Sequence, residues 1–526
     1  MFKHKKNSPP TQRRWPQFRM LPVLASVLLL GGCAGAMRNY DTEMSGTMTQ
    51  LKSGKVDQAL AQLEANNTSA DKDLLYFLEK GELLRMNSNF ADSRAAWLKA
   101  DESVRAWEDI AKTDPQKLWG EIGSFLVNDK TRRYDGQDYE KVLLSARLAM
   151  AHLAVGNWDD ARVEVKKMHE REAIIAELRS KEVEATKEKA KESKVETTMK
   201  DLKGYPVEIF DDPEVINLRN GYQSAIGHYL AGYVYEALGE SSLAAAGYRQ
   251  AIELRPKQPL LQSALAELDR RAANHKSGFS DVLFVIEAGA APAWKSVTLP
   301  IPVPTRRSFV LTPTAFPVIK SQGDNSLPAT LRVAGKELKV AAVTNVDAQA
   351  RRALKDQMPG IIVRSVIRAV AKGVLQSEVQ KRDNTGLLTV ATMIANFASE
   401  QADERSWRSL PGIIGIARAS LPVGKHVIQT PNGSQEINVG GKYSLVTLRY
   451  GDGHTYLTQS PASLSTATVV SDSSSVTPTQ PAEAVSDKKK AKKVKKSARK
   501  GADKEDQEVD QAKPVSLTGK GKEKAQ

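Results

Sequence analysis

A short pattern returns at a fixed interval along the first half of the chain, and that interval constrains the fold more than composition does. Gly54-Lys-Val56-x-x-Ala59 reappears 34 residues later as Ser88-Asn-Phe90-x-x-Ser93. In the same register, 68 residues further on, stands Gly156-Asn-Trp158-x-x-Ala161. The fullest copy comes last: Ala231-Gly232-x-x-Tyr235-x-x-x-Gly239, then Ala244, Tyr248, Ala251 and Pro256. A period of roughly 20–50 residues marks units that bury their apolar faces only by stacking on neighbours. Small residues let two helices approach, aromatics fill the space between them, and a proline closes the second helix.

These residues resemble the tetratricopeptide repeat (TPR). Gly81, Phe90, Trp97 and Ala100 take the matching places in the second unit. In the third they are Leu148, Ala149, Gly156, Trp158 and Ala161. The resemblance implies an α-helical solenoid whose concave face holds a peptide or protein segment; the other outcome is packing onto the next domain. The register fails around Ile122 and Ser124. An insert of about 49 residues, counted against the 34-residue period, separates the third unit from the fourth. Its part from about 170 to 201 is rich in charge, with Glu177/Lys181, Glu184/Lys187 and Glu188/Lys191 at helical spacing. It predicts a protruding, solvated helix followed by a loop at Gly204–Pro213. A helix at Pro259–Ala273 is expected to close the stack.

After Asn274 the period shortens. Val282–Ile286 is a continuous strand-like run. Val297–Val303 alternates, but Pro300 and Pro302 confine it to an edge. Thr330–Ala334 and Glu337–Val343 flank a hairpin turn at Gly335-Lys336. Lys425–Gln429, Gln435–Val439, Tyr443–Tyr450 and His454–Leu457 read as further strands. Two helices interrupt them. Gly360–Val379 carries Arg364, Arg368 and Lys372 on one stripe, and Gly386–Ser399 is apolar but too short to span a bilayer. The expected class is α+β multidomain: a TPR-like solenoid over 33–275, an antiparallel-sheet domain with two inserted helices over 276–458, and a disordered tail over 459–526.

The N-terminus reads as an export signal over 1–32: six basic residues without an acid, an apolar run at Leu21–Leu30, then Leu30-Gly-Gly-Cys33. That ending resembles the lipobox of bacterial lipoproteins, which implies a lipid on Cys33 and cleavage before it. Cys33 is the only cysteine, so no disulfide or thiol chemistry competes for it. Ala34, where aspartate would retain a lipoprotein in the inner membrane, implies the outer membrane facing the periplasm. Of the net charge of +14, the leader holds +6 and Lys488–Gln526 holds +8, so residues 33–487 are near neutral. That distribution argues against a nucleic-acid groove.

Ala402-Asp-Glu-Arg-Ser-Trp-Arg-Ser-Leu-Pro411, Arg418 and Leu421-Pro-Val-Gly-Lys-His426 resemble a family of uncharacterised proteobacterial lipoproteins. Asn128, Tyr134-Asp-Gly136 and Tyr139-Glu140 share in the resemblance. That family joins TPR-like helices to a C-terminal α+β domain and brings no established activity. No HExxH pair, GxSxG elbow or phosphate loop is present, so no catalytic residue, metal ligand or cofactor is assigned. Asp403, Arg405, Trp407, Arg408 and Arg418 form a candidate binding cluster, or else a salt-bridge network that positions Trp407. His426 and His454 read as strand or turn residues. Lys488–Lys500, with nine basic residues and no acid, reads as a disordered solubilising tail or else as a contact for peptidoglycan or anionic lipid. The sequence therefore points to a membrane-anchored scaffold for an envelope protein or peptide. An envelope-surface binder is the alternative, and an enzyme around Asp403, Arg405 and Arg418 a third.

Overall fold

The computed structural model describes residues 39–119, 134–304, 309–323, 325–382, 400–451 and 453–462. Cys33, Asn128, the apolar segment 386–399 and the basic block 488–500 lie outside the described residues. Four helix pairs open the chain: α1 (Tyr40–Lys52) with α2 (Val56–Asn66), α3 (Leu74–Met86) with α4 (Phe90–Thr113), α5 (Asp138–Ala154) with α6 (Trp158–Glu192), and α7 (Ala225–Ala237) with α8 (Ser241–Leu254). Each first helix stops two residues before a residue of positive φ, and each second helix starts two residues after it. Those residues are Gly54 (φ 72), Ser88 (φ 60), Gly156 (φ 77) and Gly239 (φ 79). The repeat register is thus a register of left-handed turns, a conformation that favours glycine. Within the pairs, a Cβ on Gly81 would fall 2.3 Å from the Trp97 indole nitrogen, and one on Gly232 2.6 Å from the Tyr248 ring. Helices α9 (Pro259–Ala266) and α10 (Leu268–Ala273) close the stack as two pieces.

The insert differs from its expectation. Helix α6 continues unbroken through it for 35 residues, and Glu182 approaches Arg364 at 3.9 Å, so part of the expected protrusion lies against a later helix. That helix, α11 (Val346–Arg382), begins well before Gly360 and runs through Pro359.

Among the described residues eleven strands follow the closing helices: β1 (Phe279–Ala288), β2 (Ala293–Pro304), β3 (Phe309–Lys320), β4 (Thr330–Val333), β5 (Lys336–Lys339), β6 (Ala341–Asn345), β7 (Ile413–Pro422), β8 (Gly424–Thr430), β9 (Gly433–Val439), β10 (Tyr443–Gly451) and β11 (His454–Gln459). They form a five-stranded sheet β11-β10-β1-β7-β6, a four-stranded sheet β5-β4-β8-β9 and a ribbon β2-β3. The expected antiparallel sheet is mixed instead, because β1 and β10 pair in parallel. The expected strand Glu337–Val343 is two strands, β5 and β6, in different sheets. Ala334 (φ 50) and Gly335 (φ 74) make the two-residue hairpin turn between β4 and β5.

The continuous apolar run of β1 is explained by burial on both faces. Leu283 and Val285 join the core beneath the helices. Val282, Phe284 and Ile286 face Leu331, Val333, Ile428 and Ile437 of the four-stranded sheet. The first helix of each later pair is the middle layer of the molecule. Helix α3 buries 11 of its 13 residues, α5 16 of 17 and α7 12 of 13, whereas α8 buries only 4 of 14. Trp97, Leu144, Tyr229, Leu283, Trp294 and Trp407 belong to one core. Residues 275/276 therefore mark a change of secondary structure and not a gap in packing; the described helices and sheets share one compact unit.

The ribbon manages its open edges with proline. Pro300 faces Pro313, and antiparallel pairs alternate between those that exchange two bonds and those that exchange none. A proline pair has no N–H to exchange, so every second residue from it turns its backbone outward. On β2 these positions are Ser296, Thr298, Pro300, Pro302 and Pro304; on β3 they are Phe309, Leu311, Pro313, Ala315 and Pro317. Half of them are proline. Two of the others are occupied: Ser296 N donates to Glu404 Oε1 (3.1 Å) and Ala315 N to Glu400 Oε2 (3.3 Å).

Candidate functional site

The TPR resemblance places a ligand on the concave side of the repeats; here the first helices of the second and third pairs carry the chain's own residues 400–411. This strap has no regular secondary structure. It lies across α3 and α5, and two buried carboxylates hold its backbone. Glu140 Oε1 accepts from Trp407 N (2.7 Å). Glu79 accepts from Arg408 N (2.7 Å) through Oε1 and from Ser409 N (3.1 Å) through Oε2. Tyr40 Oη lies 2.9 Å from both Glu79 Oε1 and the Ser406 carbonyl. Three successive N–H groups thus meet buried carboxyl oxygens, which leaves none of them an unpaired donor in the interior.

Side chains complete the fit. Trp407 is fully buried and meets Trp97 edge-on, ring centres 6.3 Å apart. Arg408 reaches Asp41 Oδ1 at 2.6 Å and stacks over Tyr40. Arg405 is held by Asp403 at 2.7 and 2.8 Å and lies over Tyr134. Glu400 is buried against Lys372 (2.5 Å) and Arg368 (3.6 Å), so the predicted cationic stripe of α11 serves the strap. Burial pushes the Glu140 carboxyl up to about 7, although Tyr134, Trp407 N and Gln137 N all donate to it. Beside the strap, burial alone would raise the Glu287 carboxyl, but Arg147, Arg85 and Arg449 hold it at about 2. Arg85 Nη2 is 2.7 Å from Glu287, which ties α3 to β1.

The candidate cluster therefore divides. Asp403, Arg405, Trp407 and Arg408 are the strap. Arg418 belongs elsewhere: it bonds Asp281 (2.7 and 2.9 Å), Glu236 (2.8 Å) and Tyr248 (3.0 Å) and lies over Tyr233. The repeat residues keep their places. Trp97, Ala161, Ala244, Tyr248 and Ala251 are fully buried and Tyr235 nearly so, Phe90 and Trp158 are half-buried, and Gly239 and Pro256 are exposed at turns. Tyr134, Tyr139 and Glu140 and the segment 402–411, which carried the second resemblance, come together at the strap. Sequence reading missed Glu79 and Glu82. The signal was there: two acids inside the apolar run Leu74–Met86, both fully buried. Among the described residues no three His, Cys, Asp or Glu side chains gather as a metal site, and no helix is long and apolar enough to cross a membrane. A cleft of about 880 Å³ lies beside Arg418.

The sequence matches no protein-family model and shows no significant similarity to a curated protein. A tetratricopeptide repeat protein from Parabacteroides merdae is a structural neighbour over 44% of this chain and 98% of its own, at 12% identity. The TM-score is 0.13, so the likeness carries no weight beside the helix pairs and turns of this chain.

Proposed function

We propose that this chain is an exported lipoprotein, tethered through Cys33, whose folded body is a non-enzymatic interaction scaffold of the cell envelope. The observation that carries the reading is the repeat groove. Its helices recognise an extended segment by its backbone N–H groups, by an aromatic side chain in a pocket and by an arginine on a carboxylate. The chain supplies that segment itself, and the effect is one rigid body of helices and sheets offering its outer surfaces to others. The leader, the single cysteine and Ala34 support a lipid anchor at the outer membrane, periplasmic side. Cys33 stands six residues before Asn39, so a chain of at most about 20 Å would join lipid to body. The expected result is that Cys33→Ser shifts the protein from the membrane to the soluble fraction while proximity labelling from the body loses its envelope neighbours. Retention of the Cys33→Ser protein in the membrane would overturn the anchor.

Lys488–Lys500 supports a second contact, with peptidoglycan or anionic lipid. Co-sedimentation with purified sacculi should fall when 488–526 is removed; unchanged binding would take the tail out of the account.

A further inference from the structure

The cleft beside Arg418 is a gap in the five-stranded sheet. Strand β6 begins at Ala341, opposite Ile416. Just before it the chain belongs to β5, in the other sheet, and Val340 N bonds Ala329 O. Strand β7 runs on to Pro422, so among the described residues no strand is hydrogen-bonded to its second half on that side. The direction of its backbone groups follows from one bond. Val423 N donates to Gly278 O, in the register that pairs Phe279 with Pro422. Bonded pairs alternate, so Leu421, Ala419 and Ala417 bond to β1, while Ser420 and Arg418 turn their N–H and C=O groups away from it. Both residues line the cleft.

The opposite wall offers a second edge. The two-residue turn at Ala334-Gly335 makes Val333 and Lys336 the bonded closing pair of their hairpin, so Glu337 and Lys339 point outward from β5. They too line the cleft. The contrast with the ribbon is sharp: there, prolines occupy half of the outward positions, whereas here Arg418, Ser420, Glu337 and Lys339 all keep their donors. Leu260, Leu338 and Val340 supply apolar lining. The charged lining is six basic residues (Arg270, Arg271, His275, Lys276, Lys339 and Arg418) against Glu267, Asp281 and Glu337. Arg270 pairs with Glu267 at 2.7 Å and Arg418 with Asp281. Lys276 and Lys339 are left against Glu337. The volume lies within the roughly 300–1,000 Å³ of ligand-binding clefts.

We infer that this cleft takes an extended, acidic segment of a partner protein, which adds as a strand along β7 in the line that β6 vacates. Main-chain bonds to Arg418 and Ser420 supply affinity, alternate side chains enter the apolar lining, and carboxylates meet Lys276 and Lys339. The inference rests on the scaffold reading and names its surface. The test uses the full chain and a fluorescent hexapeptide of alternating glutamate and valine, read by anisotropy. Wild type should bind it and should bind a lysine–valine peptide at least about tenfold more weakly. Ser420→Pro removes only an outward donor, as Pro422 already does two residues on, and should weaken binding about tenfold with an unchanged unfolding midpoint. The double variant Lys276→Glu, Lys339→Glu should reverse the charge preference; it touches exposed side chains and keeps the test decisive if Ser420→Pro misfolds. No binding by wild type, or equal binding by a folded Ser420→Pro, would overturn strand addition. Indifference to peptide charge would overturn the acidic partner. Binding that emerges only after residues 463–526 are deleted would give the cleft to the chain's own tail. In cells, a photo-crosslinker at Ser420 should capture a partner. Capture at exposed Val163 but not at Ser420 would sink the cleft and spare the scaffold; capture at neither would sink both.

Discussion

Two concave surfaces of this molecule hold opposite states. The repeat groove is filled: two buried carboxylates grip the strap and Trp407 plugs it. The cleft beside β7 has strand backbone turned outward on two walls and cations at its rim. The TPR resemblance left two outcomes, a bound segment or packing onto the rest of the chain, and the strap follows the second, joining helices to sheets. The surface proposed for others lies where two sheets part.

The filled groove can be tested hardest. Trp407→Ala should cost about 3–5 kcal/mol, as for other large aromatic core truncations, read as a lower urea midpoint. Helical and sheet signals should fall together, since both sit on one core; separate transitions would break the idea of a joint. Next, Glu287→Ala leaves Arg85 and Arg147 to share Glu82 alone and should cost about 3 kcal/mol. A change under about 0.5 kcal/mol, typical of surface sites, would remove that cluster from the joint.

A third test uses pH. The folded pKa of Glu140 stands near 7, above its ordinary value of 4.5. The folded state therefore holds a proton that the unfolded state releases. This contribution is present in full below about pH 4.5 and is lost as pH rises through 7, because the ionised carboxyl is the costly form. Glu140→Gln should remove it. The stability difference between wild type and variant should change by roughly 1–3 kcal/mol, since a tenfold change in acid strength is worth about 1.4 kcal/mol. A flat difference from pH 4.5 to 7.5 would contradict the assignment. At the open cleft the effects are smaller: Lys276→Ala and Lys339→Ala should each stay within about 0.5 kcal/mol of wild type. Ser88→Gly, at a left-handed turn, should gain about 0.5–1 kcal/mol.

The helix pairs were legible because a turn and a close approach each demand particular residues. Gly54, Gly156 and Gly239 announce the turns, and Gly81 and Gly232 announce the contacts with Trp97 and Tyr248. The sequence also carries Asn432-Gly433 and Asp452-Gly453 between the last strands, the residue pairs that tight hairpin turns favour. Strand β3 did not, because Pro313 and Pro317 argue against a strand until the ribbon shows them facing outward. The parallel pairing of β1 with β10 joins residues about 160 apart and has no local signature. Helix α11 starts before the point where Pro359 suggests a beginning. The strap was visible as a cluster of charge around a tryptophan, but its binding site was not, since Glu79 and Glu140 lie in other helices far upstream.

The strap also sets the order in which the chain becomes itself. The bonds from Trp407, Arg408 and Ser409 span 267, 329 and 330 residues. A ribosome finishes α3 and α5 long before it makes the segment that covers them, and until then Glu79 lacks the two strap N–H donors and keeps only Tyr40. Non-local contacts of this kind slow folding. For a chain proposed to cross a membrane as an unfolded thread, that delay is useful: the helical half has little to gain from closing early, and the whole body can assemble once the last strand has arrived on the far side.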